Sequence, residues 1–113
     1  MHAIYHASLK KTMTNPVHIQ PRHQKALLDI IHTHLPESRI LIYGSRINGR
    51  SHEGSDLDIA LQTSTLDPIP TDIMTTLLED IRDSSIPFLV DIRDWTRLPT
   101  SFQEEINRHH VVW

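Results

Sequence analysis

Gly44-Ser45-Arg46-Ile47-Asn48-Gly49-Arg50-Ser51-His52-Glu53-Gly54-Ser55-Asp56-Leu57-Asp58 is the stretch on which the reading of this 113-residue chain turns. Ten residues separate its Gly-Ser pair from an Asp-x-Asp, and apolar runs flank it, Arg39–Tyr43 before and Leu57–Leu61 after. The pattern predicts strand, tight turn, loop, strand. A small turn lets backbone N–H groups and a serine hydroxyl approach a polyphosphate. Two carboxylates then hold the divalent cation that neutralises it. Asp and Ser after Gly54 are ordinary turn residues when taken alone. Turn chemistry does not explain a Gly-Ser pair at this spacing after an apolar strand.

Strand parity sharpens the expectation. Side chains alternate between faces with period two, so Leu57, Ile59 and Leu61 share one face while Asp56, Asp58, Ala60 and Gln62 share the other. The two carboxylates lie on one side, roughly 6–7 Å apart along the strand. A third strand, Phe88–Ile92, repeats the logic: Phe88, Val90 and Ile92 face one way, and Leu89, Asp91 and Arg93 the other. Asp91 completes a three-carboxylate set if the two strands are neighbours; Asp94, the rival, has the opposite parity. Three converging carboxylates repel one another. With one or two Mg²⁺ ions the set suits in-line displacement at phosphorus.

Outside this centre the chain reads as one domain with a single core. Residues 1–19 are polar and aperiodic and are expected to form a flexible extension, with Met13 an alternative start, ahead of a domain at 20–113. Leu27, Leu28, Ile31 and Leu35 predict a helix over Arg22–His34, ended by Pro36. The nearly all-apolar Arg39–Tyr43 is expected at the centre of the sheet. Ile73, Leu77, Leu78 and Ile81 mark a helix over Thr71–Arg82, and Phe102 and Ile106 one over Thr100–Arg108. Val111-Val112-Trp113 is expected to pack over the last helix and the sheet edge.

Composition narrows the classes. The absence of cysteine rules out disulfides and cysteine–zinc sites. No apolar run approaches the ~20 residues needed to span a bilayer, and the N-terminus lacks a secretory h-region; a cytoplasmic location is expected. A formal charge of −3 argues against coating nucleic acid, which needs a basic footprint. The nine histidines lack the pairing that defines a zinc site, and only His52, in the loop, is expected near the nucleotide. Arg46 and Arg50, four apart, would share a face on a short helix.

Gly44, Ser45, Asp56, Asp58 and Asp91, with Arg46 and Gly49, resemble the minimal nucleotidyltransferase (MNT) domains of the DNA polymerase β-like superfamily. The likeness covers about residues 22–108; Tyr43 departs from the family's usual Phe. It implies an α/β fold, a short mixed sheet with helices packed on one face and the carboxylates on the other. It also implies Mg²⁺-dependent transfer of AMP from ATP to a hydroxyl. Gly44, Ser45 and Arg46 would contact the nucleotide, Gly44 and Ser45 doing so at a helix N-terminus. Asp56, Asp58 and Asp91 would bind metal, and Asp91 would help deprotonate the acceptor. The chain has no room for an acceptor-holding domain, so a partner or self-association must supply that recognition. Within the family, short MNT proteins are often paired with an all-helical HEPN ribonuclease toxin, and several such pairs work by transferring AMP onto a tyrosine of the toxin. That antitoxin role is the leading expectation. The alternatives are a partner that only masks the toxin, and transfer to a small-molecule alcohol.

Overall fold

Three consecutive aliphatic side chains, Ile40, Leu41 and Ile42, are all fully buried in strand β1 (Arg39–Tyr43). A strand buried on both faces must lie inside a sheet, and β1 does. The computed structural model describes residues 15–113. In it β1 pairs antiparallel with β2 (Leu57–Gln62) on one side and with β4 (Val111–Val112) on the other. Strand β3 (Val90–Asp94) runs parallel to β2, giving a mixed sheet in the order β3-β2-β1-β4. A parallel pair requires a crossover, and helix α2 (Thr71–Arg82) lies within it.

Helix α1 (Pro21–His34) begins on a proline, whose fixed φ suits the first helical position. Its Leu27 and Ile31, with Leu77 and Ile81 of α2, pack against Ile40, Ile42, Leu57, Ile59 and Leu61. Each fully buried aliphatic side chain contributes about 1.5–3 kcal/mol relative to exposure. His34 of α1 bonds to Asp80 of α2 and fastens the two helices together. The expectation of helices on one face describes these two. Helix α3 (Thr100–Arg108) adds a cover to the opposite face, where Ile106 and Phe102 pack on Leu41 and Ala60. The face that carries the carboxylates is therefore roofed along part of its length.

Three expectations need correction. Within the expected extension, residues 15–19 are docked: Val17 and Ile19 are buried in the core, and the His18 N–H donates to the Arg46 carbonyl at 2.7 Å. The expectations for residues 1–14, Met13 among them, lie outside the described residues. The third strand starts at Val90 and not at Phe88, because the Phe88 ring turns aside to stack under the Arg46 guanidinium, 4.1 Å from its centre. Leu78 is an exposed side chain, so the buried stripe of α2 is narrower than its apolar residues indicate. Val111-Val112 lies at the sheet edge as expected and also forms a strand; beyond it the Trp113 N–H donates to the Ile40 carbonyl at 3.0 Å. Among the described residues no helix is long and apolar enough to cross a membrane.

Candidate active site

Gly44 follows β1 with φ 82° and ψ −156°, a region that essentially only glycine occupies. Space demands glycine as well: a Cβ here would stand 2.3 Å from Asp58 Oδ2. The turn thus closes directly on the first in-strand carboxylate of the motif. Ser45–Ile47 form a single 3-10 turn. The helix N-terminus expected at Gly44-Ser45 is therefore one short turn with few aligned dipoles. Gly49, at φ 78°, lies beyond it, so Arg46 and Arg50 share no helix face.

Arg46, expected to contact nucleotide, has its guanidinium engaged by backbone carbonyls. It is 3% exposed. Its Nε donates to the Ser55 carbonyl at 3.0 Å, and its two terminal nitrogens donate to the carbonyls of His18 (2.6 Å), Glu53 (2.9 Å) and Ser55 (2.6 Å). One guanidinium therefore ties the N-terminal arm to the loop that delivers Asp56. Histidines reinforce the loop. His18 Nδ1 bonds to Ser51 Oγ at 2.6 Å, and His52 Nδ1 accepts from the Gly54 N–H at 3.1 Å.

Register assembles the carboxylates. Tyr43 stands opposite Asp58 across the antiparallel pair, and Asp58 opposite Asp91 across the parallel pair. The three form one row across neighbouring strands, about 4.8 Å apart at the backbone, and exposed Asp56 immediately precedes β2. The row is electrostatically crowded. Burial, then Asp91 and Asp56, raise the Asp58 carboxyl above its ordinary value, with Arg93 opposing. Burial, then Asp58 and Asp91, push the Tyr43 phenol up to about 12. The Tyr43 ring meets Phe102 of α3 edge-on at 5.6 Å. A cavity of about 240 Å³, bounded by Tyr43, Gly44, Phe102, Glu105, Ile106 and His109, opens beside the Gly44 turn.

Strand parity puts Asp91 beside the pair and Asp94 on the far side, and the strands have that arrangement. Asp94 is buried and accepts from the Ile69 N–H, the Thr96 N–H and hydroxyl, and Arg97. It fixes the exit from β3. Two residues at the site escaped the sequence. Tyr43 belongs to it only through the antiparallel register, which no local pattern encodes. Arg93 forks onto Asp91, with Nε to Oδ1 at 3.1 Å and Nη2 to Oδ2 at 3.3 Å; its i+2 spacing from Asp91 was the available signal.

Hard carboxylate oxygens in mutual repulsion suit Mg²⁺ or Mn²⁺. Among the described residues, however, no three acidic, histidine or cysteine side chains already stand close enough to form a metal cage. The donor set fits a divalent ion by its chemistry and is not preformed around one.

A mixed sheet presenting a glycine turn and an acidic row of this order defines a nucleotidyltransferase core. The chain matches the family described as "Polymerase beta, Nucleotidyltransferase" over residues 25–112, and it belongs to that family of enzymes. It is also 31% identical, over 78 residues, to a protein of Haemophilus influenzae (strain ATCC 51907 / DSM 11121 / KW20 / Rd) described as "Probable protein adenylyltransferase MntA". That match covers 69% of this chain and 67% of the relative.

Proposed function

We propose that this enzyme transfers AMP from ATP to a tyrosine hydroxyl of a HEPN-type toxin and so acts as its antitoxin. The observation that carries the chemistry is the register of Asp58 with Asp91 beside a Gly44 turn that closes on Asp58. The protein-directed activity draws support from the relative's description as a protein adenylyltransferase, and the toxin partner from the MNT resemblance. An ATP-consuming reaction also fits the cytoplasmic setting expected from the sequence.

In this reading Gly44 and Ser45 bring backbone N–H groups and a hydroxyl to the β- and γ-phosphates. Asp56, Asp58 and Asp91 would hold Mg²⁺, which would supply charge neutralisation at the triphosphate. Asp91 accepts the proton of the acceptor hydroxyl, whose oxygen bonds to the α-phosphorus. The bond from that phosphorus to the bridging oxygen breaks, and pyrophosphate leaves. Orientation and fixed charge carry most of the acceleration in such transfers. With a pKa of about 12, Tyr43 stays neutral and protonated at pH 7–8, so it adds no further negative charge to the row.

The test is the intact mass of the adjacent reading frame's product, co-expressed with wild type or with Asp56→Ala/Asp58→Ala. A gain of one or more AMP units only with wild type is the expected result. A complex that protects equally with both forms, without a mass gain, would instead support masking.

A further inference from the structure

Asp91 meets a cation that belongs to its own chain. Arg93 lies two residues along β3, so strand parity places both side chains on the same face. The guanidinium engages the two carboxylate oxygens separately, at 3.1 and 3.3 Å. Those are the same atoms through which Asp91 would bind a metal ion. The pair is open to solvent, with Arg93 51% and Asp91 40% exposed. An exposed ion pair is weak, and a multivalent ion that also gains Asp58 and Asp56 can replace it. Arg93 also stands beside Ala60, in the row next to the carboxylates, so a displaced guanidinium would remain on the reactive face.

We propose that Arg93 competes with the divalent cation for Asp91: it occupies the carboxylate in the metal-free chain and is displaced when the ion loads. The inference rests on the reading of Asp56, Asp58 and Asp91 as the cation ligands. It makes Asp91 the last ligand to engage and keeps that carboxylate occupied until the ion arrives. Arg93 is thus a positioning residue for the reaction.

The experiment is a Mn²⁺ titration of the purified full chain without nucleotide, following free ion by electron paramagnetic resonance. It compares wild type with Arg93→Gln, Arg93→Lys and Asp58→Asn. Arg93→Gln should bind Mn²⁺ roughly three- to fivefold more tightly, the scale set by a released surface ion pair. Arg93→Lys keeps the charge without the fork and should fall between wild type and Arg93→Gln. Asp58→Asn should bind markedly more weakly. Equal affinity in wild type and Arg93→Gln, with Asp58→Asn impaired, would overturn the competition and leave the carboxylate site standing. Arg93→Lys matching wild type while Arg93→Gln tightens would reduce the effect to net charge and would also overturn it. Unchanged binding in Asp58→Asn would remove the carboxylate site, and the competitor with it.

Discussion

Arg46 shows how a motif residue can be conscripted by the backbone around it. Its guanidinium bonds to carbonyls of residues 18, 53 and 55 and stacks on Phe88, so three separate segments converge on one side chain. Nothing local to Gly44-Ser45-Arg46 reveals those acceptors, which is why the sequence pointed to nucleotide contact. A lysine has a single nitrogen and cannot reproduce a planar fork. Arg46→Lys should therefore lower unfolding stability by about 2–3 kcal/mol, the scale of leaving two or three enclosed carbonyls poorly partnered. Urea denaturation measures this directly. A phosphate-binding Arg46 would give the opposite pattern, with stability unchanged and KM for ATP raised. Gly44 is the contrasting case, because the tight turn expected there is present. The reason is more specific than turn flexibility: the position requires both a glycine-only backbone conformation and an absent Cβ beside Asp58.

Among the elements, β3 depends most on its ends. Asp94 closes it from the core side, accepting at Oδ2 from the Ile69 N–H (2.8 Å) and Arg97 Nε (3.3 Å), and at Oδ1 from Thr96. Burial alone would push this carboxyl up, yet the bonds from Ile69, Thr96 and Arg97 hold it below its ordinary value. A depressed folded-state pKa contributes stability above the unfolded value and loses it as pH falls through the folded one. Asp94→Asn turns one acceptor oxygen into a donor facing other donors. It should cost about 2 kcal/mol at pH 7, and the deficit should shrink as the wild-type carboxyl protonates in acid. Chemical denaturation at pH 7 and pH 3 checks both parts; a deficit independent of pH would mean that the carboxylate charge is irrelevant. Helices α2 and α3 and strand β1 were legible to the residue, because apolar periodicity and flanking prolines encode them locally. The start of β3 was not, since Phe88 leaves the ladder for a partner 42 positions away in sequence. Nor was β4, a two-residue strand that exists only because β1 offers it a free edge.

At the scale of the whole molecule, the strand order decides the chemistry. Because β2 lies between β1 and β3, the sheet gathers Tyr43, Asp58 and Asp91 into one row. The two carboxylates were legible from parity, but their adjacency was legible only through family likeness, since sheet order is a property of the assembled fold. That order also stores a conflict. Burial and the charges of Asp91 and Asp56 raise the folded-state pKa of Asp58, so its ionised form is less favourable in the folded protein than in the unfolded one. For such a group the stabilising contribution is present below the unfolded pKa and lost as pH rises through the folded value. In metal-free buffer at pH 7.5, Asp58→Asn should therefore melt higher than wild type, on the order of a few degrees for a domain of this size. Near pH 3 the difference should disappear, because the wild-type carboxyl is then protonated too. Millimolar Mg²⁺ should reverse the ranking at pH 7.5, since an ion bound only by the folded state stabilises it by mass action and the variant has lost a ligand. Thermal melts at the two pH values, with and without Mg²⁺, give all three comparisons. A variant that melts lower than wild type in metal-free buffer at pH 7.5 would mean that Asp58 helps hold the fold together. The acidic row would then be a structural feature of the sheet, with no repulsion for a cation to relieve.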